Sequence, residues 1–233
     1  MVIFLLDTSF LTKNLIAHRG VCYNYRENTI EAFCEAIKNN YIIELDVRLT
    51  KDNKVVVFHD SNLFRIVGIN KNISDLSYLE LEEIIKVPTL IEVLKFVKGR
   101  VPIIIEIKNS SIKSKIEKYV SNILDDYKYK FAIQSFNPLT IFWFKLNRPK
   151  FVRGYLINSI FSIKFIATCL LDSKLLKPNY MGVNLKSLKD KKIIKLRCKY
   201  LVVGYTINNN IEYNKYKKYA DNFICNIGKE PYK

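Results

Sequence analysis

Charged residues at i, i+2 spacing interrupt two of the most apolar runs in the chain. The run YIIELDVRLT carries Glu44 and Asp46, and VPIIIEIK carries Glu106 and Lys108. Each pair has i, i+2 spacing, which sends both side chains to one side of a strand. Leaving a buried charge without its partner typically costs about 3–5 kcal/mol, so three carboxylates converging inside a fold require compensation. A divalent cation is the simplest. An all-oxygen donor set favours calcium or magnesium, with manganese also suited, over zinc. The competing arrangement is an internal ion-pair network, Glu106 with Lys108 and Asp46 with Arg48. Both histidines of the chain lie beside these runs. His18 closes an apolar run in AHRG, and His59 closes KVVVFHD, each next to a charged residue, Arg19 or Asp60. Two imidazoles can serve as general base and general acid near neutral pH. The forked guanidinium of Arg19 matches phosphate oxygens, and Gly20 permits a tight turn there.

The elements that must hold these residues alternate along the chain. NTIEAFCEAIKN (28–39) places Ile30, Phe33, Ala36 and Ile37 at helical spacing, with Asn28 or Thr29 as cap. After the turn-like KDN come KVVVFHD and the helical ISDLSYLELEEIIK, for which Ser74 or Asp75 would be the cap. TLIEVLKFVKG follows Pro88, and SIKSKIEKYVSNILDDY is helical again. The later strand-like runs are FAIQSF, FVRGYLI, YMGVNL, YLVVGYTI and NFICNI. They are separated by NPLTIFWFKLN, SIFSIKFIATCLLDS, LKDKKIIKLR and NIEYNKYKKYA, each long enough for a helix. With KVVVFHD taken as an extension of the second strand unit, eight units remain. Strict β/α alternation implies a parallel sheet, and eight units in 233 residues favour a closed (β/α)8 TIM barrel of the α/β class. The expectation is one domain over residues 1–233, with a short insertion at 59–88 after the second strand unit and a truncated final helix. The segment Val2–Leu11 would cover the gap left by that helix or plug the barrel floor. Glu44, Asp46, Glu106 and Lys108 would sit toward the C-terminal ends of their strands, where barrel enzymes place their sites.

Composition narrows the function classes. At 49% hydrophobic the chain has ample core, and its formal net charge is +16. The lysines are scattered, with short clusters at Lys189–Lys192 and Lys215–Lys218 and no concentrated basic stripe or reading motif, so no nucleic-acid partner is expected. If the substrate were a lipid, the basic surface would favour weak contact with an anionic membrane surface. The five cysteines are dispersed with no CxxC pair, which fits reduced thiols in an intracellular setting. The first apolar run is short, is interrupted by Asp7 and follows no basic residue, a poor signal peptide. A cytoplasmic location is the expectation.

The sequence resembles the glycerophosphodiester phosphodiesterase family. The resemblance runs through H-R-G (His18–Gly20), E-N-T (Glu27–Thr29), A-F (Ala32, Phe33) and E-x-D-V (Glu44–Val47). It continues through T-K-D-N-K-V-V-V-F-H-D (Thr50–Asp60), Leu63, Arg65, P-T-L-x-E-V-L (Pro88–Leu94) and I-E-I-K (Ile105–Lys108). Farther on, Q-S-F (Gln134–Phe136), V-N (Val183, Asn184), G-Y-T-I-N (Gly204–Asn208) and A-D-N-F-I-C-N (Ala220–Asn226) fit more loosely. It implies a TIM barrel with one divalent cation on Glu44, Asp46 and Glu106. It implies His18 and His59 as the acid–base pair, with His18 the base and His59 the acid, and Arg19 and Lys108 as phosphate-binding cations. Phe136 and Tyr205 would bind the rest of the substrate. The implied reaction is metal-dependent hydrolysis of a small-molecule glycerophosphodiester to sn-glycerol 3-phosphate and an alcohol. The alternatives are a lysophospholipase D-type activity on membrane lipids and a non-catalytic basic binding protein. The chain departs from the family pattern at Arg26, usually Pro, at Tyr205, usually Trp, and at Asn222, usually Gly. None of these removes a proposed ligand or histidine, so they bear on substrate preference.

Overall fold

The structure, a computed structural model, describes residues 6–109, 115–158, 176–228 and Tyr232. Nine strands follow in order: β1 (Ile16–His18), β2 (Ile42–Leu49), β3 (Val55–Val57), β4 (Ile103–Ile107), β5 (Phe131–Ser135), β6 (Val152–Ile157), β7 (Tyr180–Asn184), β8 (Leu201–Ile207) and β9 (Asn222–Cys225). Eight of them close a parallel barrel in the order β1-β9-β8-β7-β6-β5-β4-β2, with β1 pairing β2. Strand β3 is the exception. It turns back at Lys51–Asn53 and pairs antiparallel with the far end of β2, Val47 opposite Val57. Thus β1 covers the first third of that edge of β2 and β3 covers the last third.

Helices fill the intervals as their periodicity requires. Helix Ile30–Lys38 buries Ala32, Phe33 and Ala36. Its cap is Thr29, whose hydroxyl accepts from the Ala32 amide. In the insertion the expected cap is displaced: Ile73–Asp75 forms a 3-10 turn, and helix Tyr78–Ile84 is capped by Ser77 rather than Ser74 or Asp75. Ser77 and Glu80 form a reciprocal capping box, two orphan donors satisfied at once. The same device, Thr89 with Glu92, opens helix Leu90–Val97. Helices Lys115–Asp125, Pro138–Asn147, Lys191–Leu196 and Asn210–Tyr216 complete the described wall. The expected helix over SIFSIKFIATCLLDS lies outside the described residues. Among the described residues, no helix is long and apolar enough to cross a membrane.

The barrel interior explains where chemistry is possible. Its lower layer is apolar and takes one residue from each barrel strand: Ile16, Ile42, Ile104, Ala132, Val152, Tyr180, Val203 and Ile224. Phe10 and Leu11 from the 3-10 turn Ser9–Thr12 join this cluster, so this turn plugs the floor; Val2–Leu5 of the expected plug lie outside the described residues. Asn222 secures the plug by donating to the carbonyls of Leu11 and Asn14 at 2.6 and 2.7 Å, a role that Gly at this position lacks the side chain to fill. Above this layer the inward positions become polar, beginning with Glu44, Glu106 and Gln134. The insertion has its own small core of Val56, Phe58, Leu63, Ile73, Leu76, Leu81, Ile85 and Val87.

Candidate active site

Register brings the sequence-predicted residues together. His18, the last residue of β1, lies opposite Glu44, and Asp46 lies opposite Glu106. Glu44 is only the third residue of β2, not near its end. It still reaches the rim because β1 stops beside it while β2 continues upward to meet β3. Glu44, Asp46 and Glu106 are all buried, and each offers a carboxylate oxygen within 4.8 Å of the others.

The cluster is only partly neutralised by the chain itself. The Lys108 ammonium lies 3.0 Å from Asp46 Oδ1 and in contact with Glu106 Oε1. Arg19 Nε lies 3.2 Å from Asp46 Oδ2. Neither Asp46 Oδ1 nor Glu106 Oε1 accepts a hydrogen bond of good geometry, and both atoms are buried. The internal network expected as the competing arrangement is therefore present in part, with one change. Arg48 does not pair with Asp46 but donates from Nε to the His59 carbonyl at 2.8 Å. Burial and the Asp46 charge raise the Glu106 carboxyl, and burial with both neighbouring carboxylates raises Glu44. Asp46 goes the other way, because Lys108 and Arg19 outweigh the effect of its burial. Two protonation-prone carboxyls beside one ionised one, with buried acceptors facing inward, fit a hard divalent cation that would replace the missing positive charge.

The supporting residues were less visible in the sequence. Asn28, considered as a helix cap, instead has a left-handed backbone and clamps Asp46. Its amide donates to Asp46 Oδ2 at 3.0 Å and accepts from the Asp46 N–H at 3.3 Å. The Arg19 backbone N–H donates to Glu44 Oε2 at 3.1 Å. Arg19 and Gly20 both have positive φ, and a Cβ on Gly20 would meet the Ala32 backbone at 2.8 Å. Glycine is required for this turn to press against the first helix. Beneath the carboxylates, Tyr180 donates to Gln134 Oε1 at 3.1 Å, and Gln134 Nε2 donates to Glu44 Oε1 at 3.4 Å. Gly154 leaves the space in which the Tyr180 ring lies.

Each histidine is held through Nδ1. His59 Nδ1 lies 2.6 Å from Asp60 Oδ1. His18 Nδ1 lies 2.7 Å from Asn226 Oδ1; Asn226 Nδ2 donates to Asn208 Oδ1 at 2.7 Å, and Asn208 Nδ2 donates to Glu212 Oε2 at 3.1 Å. An ionised carboxylate only accepts, so Glu212 sets the direction of the whole chain. Asn226 must present its oxygen to His18, and His18 must carry its proton on Nδ1. Its Nε2 is then a lone pair. Burial, with Arg19 beside it, lowers the His18 pKa to about 4, so the ring is neutral near pH 7. Burial also lowers His59, with Asp46 and Asp60 opposing. The remaining expected residues meet at the rim, where the Phe136 and Tyr205 rings stand edge to face at 5.9 Å. The Tyr205 hydroxyl donates to the Ile157 carbonyl at 2.7 Å, so its difference from Trp is absorbed by the barrel wall.

Residues 18–161 match the glycerophosphoryl diester phosphodiesterase family. The chain belongs to that family. A glycerophosphodiester phosphodiesterase structure from Thermotoga maritima is similar over 91% of this chain and 94% of that one, with 30% identity and a TM-score of 0.79. An Oleispira antarctica phosphodiesterase, solved with sn-glycerol-3-phosphate, shares the fold over 93% and 94% of the two chains at 20% identity and a TM-score of 0.80. A lysophospholipase D of Homo sapiens is 52% identical over 73 residues, which is 31% of this chain and 23% of that protein's length. The family's barrel, expected from strand alternation, is the fold observed.

Proposed function

We propose that this member of the glycerophosphoryl diester phosphodiesterase family hydrolyses glycerophosphodiesters to sn-glycerol 3-phosphate and an alcohol. One observation carries the reading: two histidines, each tethered at Nδ1, flank a buried three-carboxylate cluster that also holds Arg19 and Lys108. The sn-glycerol-3-phosphate found with the Oleispira neighbour supports the product assigned.

Glu44, Asp46 and Glu106 would hold the divalent cation, which supplies Lewis-acid stabilisation of negative charge on the phosphoryl oxygens when bound. The chain's own residues do the rest. Arg19 and Lys108 face the phosphoryl oxygens as cations and share that charge. His18 Nε2 takes the proton of the substrate's 2-hydroxyl as its oxygen bonds to phosphorus. His59 Nε2 gives a proton to the departing alcohol oxygen as its bond to phosphorus breaks. Water then opens the cyclic phosphate with the two roles reversed, leaving the histidines as they began. Phe136 and Tyr205 form the apolar wall against which the glycerol or its head group packs. The negative phosphodiester beside His59 offsets the effect of burial and favours the protonated ring.

A second substrate class is favoured by the 52% identity to a lysophospholipase D over 73 residues. The bond broken is again a phosphodiester, so the same residues serve it. The test is a panel of glycerophosphocholine, glycerophosphoethanolamine and lysophosphatidylcholine, with and without chelator. Cation-dependent release of glycerol 3-phosphate supports the first class, and cation-dependent release of lysophosphatidic acid supports the second. Unchanged rates under chelator would refute the metal assignment.

A further inference from the structure

The insertion between His59 and Pro88 contributes no strand to the barrel wall, yet one of its residues reaches the site. Leu63, fully buried in the insertion's core, anchors the short helix Phe64–Val67. From that helix Arg65 extends across two carboxylates. Its Nε donates to Asp60 Oδ2 at 2.5 Å, its Nη2 to Glu27 Oε1 at 2.5 Å and its Nη1 to Glu27 Oε2 at 3.2 Å. Each carboxylate has a second task. Asp60 Oδ1 holds His59 Nδ1 at 2.6 Å, and Glu27 Oε1 accepts from Arg19 Nη1 at 2.9 Å. Arg19 in turn pairs with Asp46.

We propose that Arg65 is a positioning residue for the diesterase reaction, holding His59 through Asp60 and Arg19 through Glu27. This rests on the function proposed above, with His59 as the acid. The planar fork suits the task, because it meets one carboxylate along one edge and the other from its end. A lysine carries the charge but not the fork. Arg65 is about half exposed, and exposed ion pairs contribute little to stability. Its loss should therefore be read in rate rather than in folding.

The experiment uses two substrates of the full chain. Glycerophosphoethanolamine has an alcohol leaving group that needs a proton. Glycerol 3-(p-nitrophenyl phosphate) has a phenolate that leaves without one. In single turnovers, which read leaving-group release before the cyclic phosphate is opened, Arg65→Gln is expected to slow release from the first by ~10-fold or more, the usual scale for groups that orient a reacting side chain, and to leave release from the second nearly unchanged. KM should rise on both, through Arg19. Asp60→Asn should show the same single-turnover pattern, and the double variant should lose little more than either alone. Arg65→Lys should fall between wild type and Arg65→Gln, and it carries the comparison if Arg65→Gln fails to fold. Equal single-turnover losses of leaving-group release on both substrates, or additive losses in the double variant, would overturn the proposal. Wild type inactive on both substrates would instead refute the diesterase reading, and the proposal with it.

Discussion

His18 Nδ1 lies 2.7 Å from Asn226 Oδ1, and these residues are 208 positions apart in sequence. The bond is directed from the far end, by the Glu212 carboxylate acting through Asn208. His18 is therefore expected as the Nδ1–H tautomer at neutral pH. The chain has only two histidines, so long-range proton–nitrogen NMR on histidine-labelled protein resolves them. Wild type should show His18 protonated on Nδ1 alone. Asn226→Leu should lose that bias and lower kcat by about 10-fold or more. A His18 ring protonated on Nε2 in wild type would contradict the assignment of base.

The carboxylate cluster makes a prediction about binding that does not depend on turnover. A divalent cation should raise the melting temperature, and Asp46→Asn or Glu106→Gln should remove that shift. The stabilisation should follow mass action, about 2.7 kcal/mol at a cation concentration 100 times Kd. Differential scanning fluorimetry across calcium, magnesium and manganese reads it. An equal shift in both variants would place the ion elsewhere.

Acidity adds a signed prediction for the metal-free protein. Burial and the Asp46 charge push the Glu106 carboxyl up to about 7, from an ordinary value of 4.5. A raised folded pKa means that the folded state binds the proton more tightly than the unfolded chain. The contribution is fully present below pH 4.5 and is lost as pH rises to about 7. Glu106→Gln cannot lose a proton there. The melting temperature of wild type relative to this variant should therefore fall across that window and level off above it. Adding the cation should reverse the trend, since binding needs the carboxylate and becomes more favourable as pH rises. A flat difference in melting temperature would contradict the assigned shift.

Gly154 tests the support beneath the site. A Cβ there would meet the Tyr180 ring at 2.1 Å, and that ring carries the hydrogen-bond chain to Gln134 and Glu44. Gly154→Ala should cost ~1–3 kcal/mol by overpacking and weaken cation binding as well. Chemical denaturation and cation titration measure the two effects. Unchanged cation affinity would mean that Glu44 is held without Tyr180.

Much of the barrel and the reactive cluster was legible because buried parallel strands tolerate few charges. Glu44, Asp46 and Glu106 stand out against Ile42, Ile43, Ile104 and Ile105 for that reason. Their i, i+2 spacing also gave the shared face. The supports were hidden for equally physical reasons. Asn28 is ambiguous locally, because a residue beside a helix start can cap it or turn away, and only the left-handed backbone at 28 sends it to Asp46. Asn226 closes an apolar strand and Glu212 lies in a polar helix, and nothing local marks either for His18, from which Asn226 is 208 residues distant. Their relation to His18 exists only once β9 and β1 are neighbours. Ser77 was legible in principle through the Ser-x-x-Glu spacing of its capping box, which outweighs the local attraction of Ser74 and Asp75.

The most direct test of the central claim is the rate of glycerol 3-phosphate release from glycerophosphoethanolamine, with divalent cation present, by wild type, His18→Ala and His59→Ala. Hydrolysis by wild type and losses of ~10²–10⁴ in each variant are predicted, the usual effect of removing one acid–base group. Wild-type rates in both variants, or no release by wild type, would contradict it.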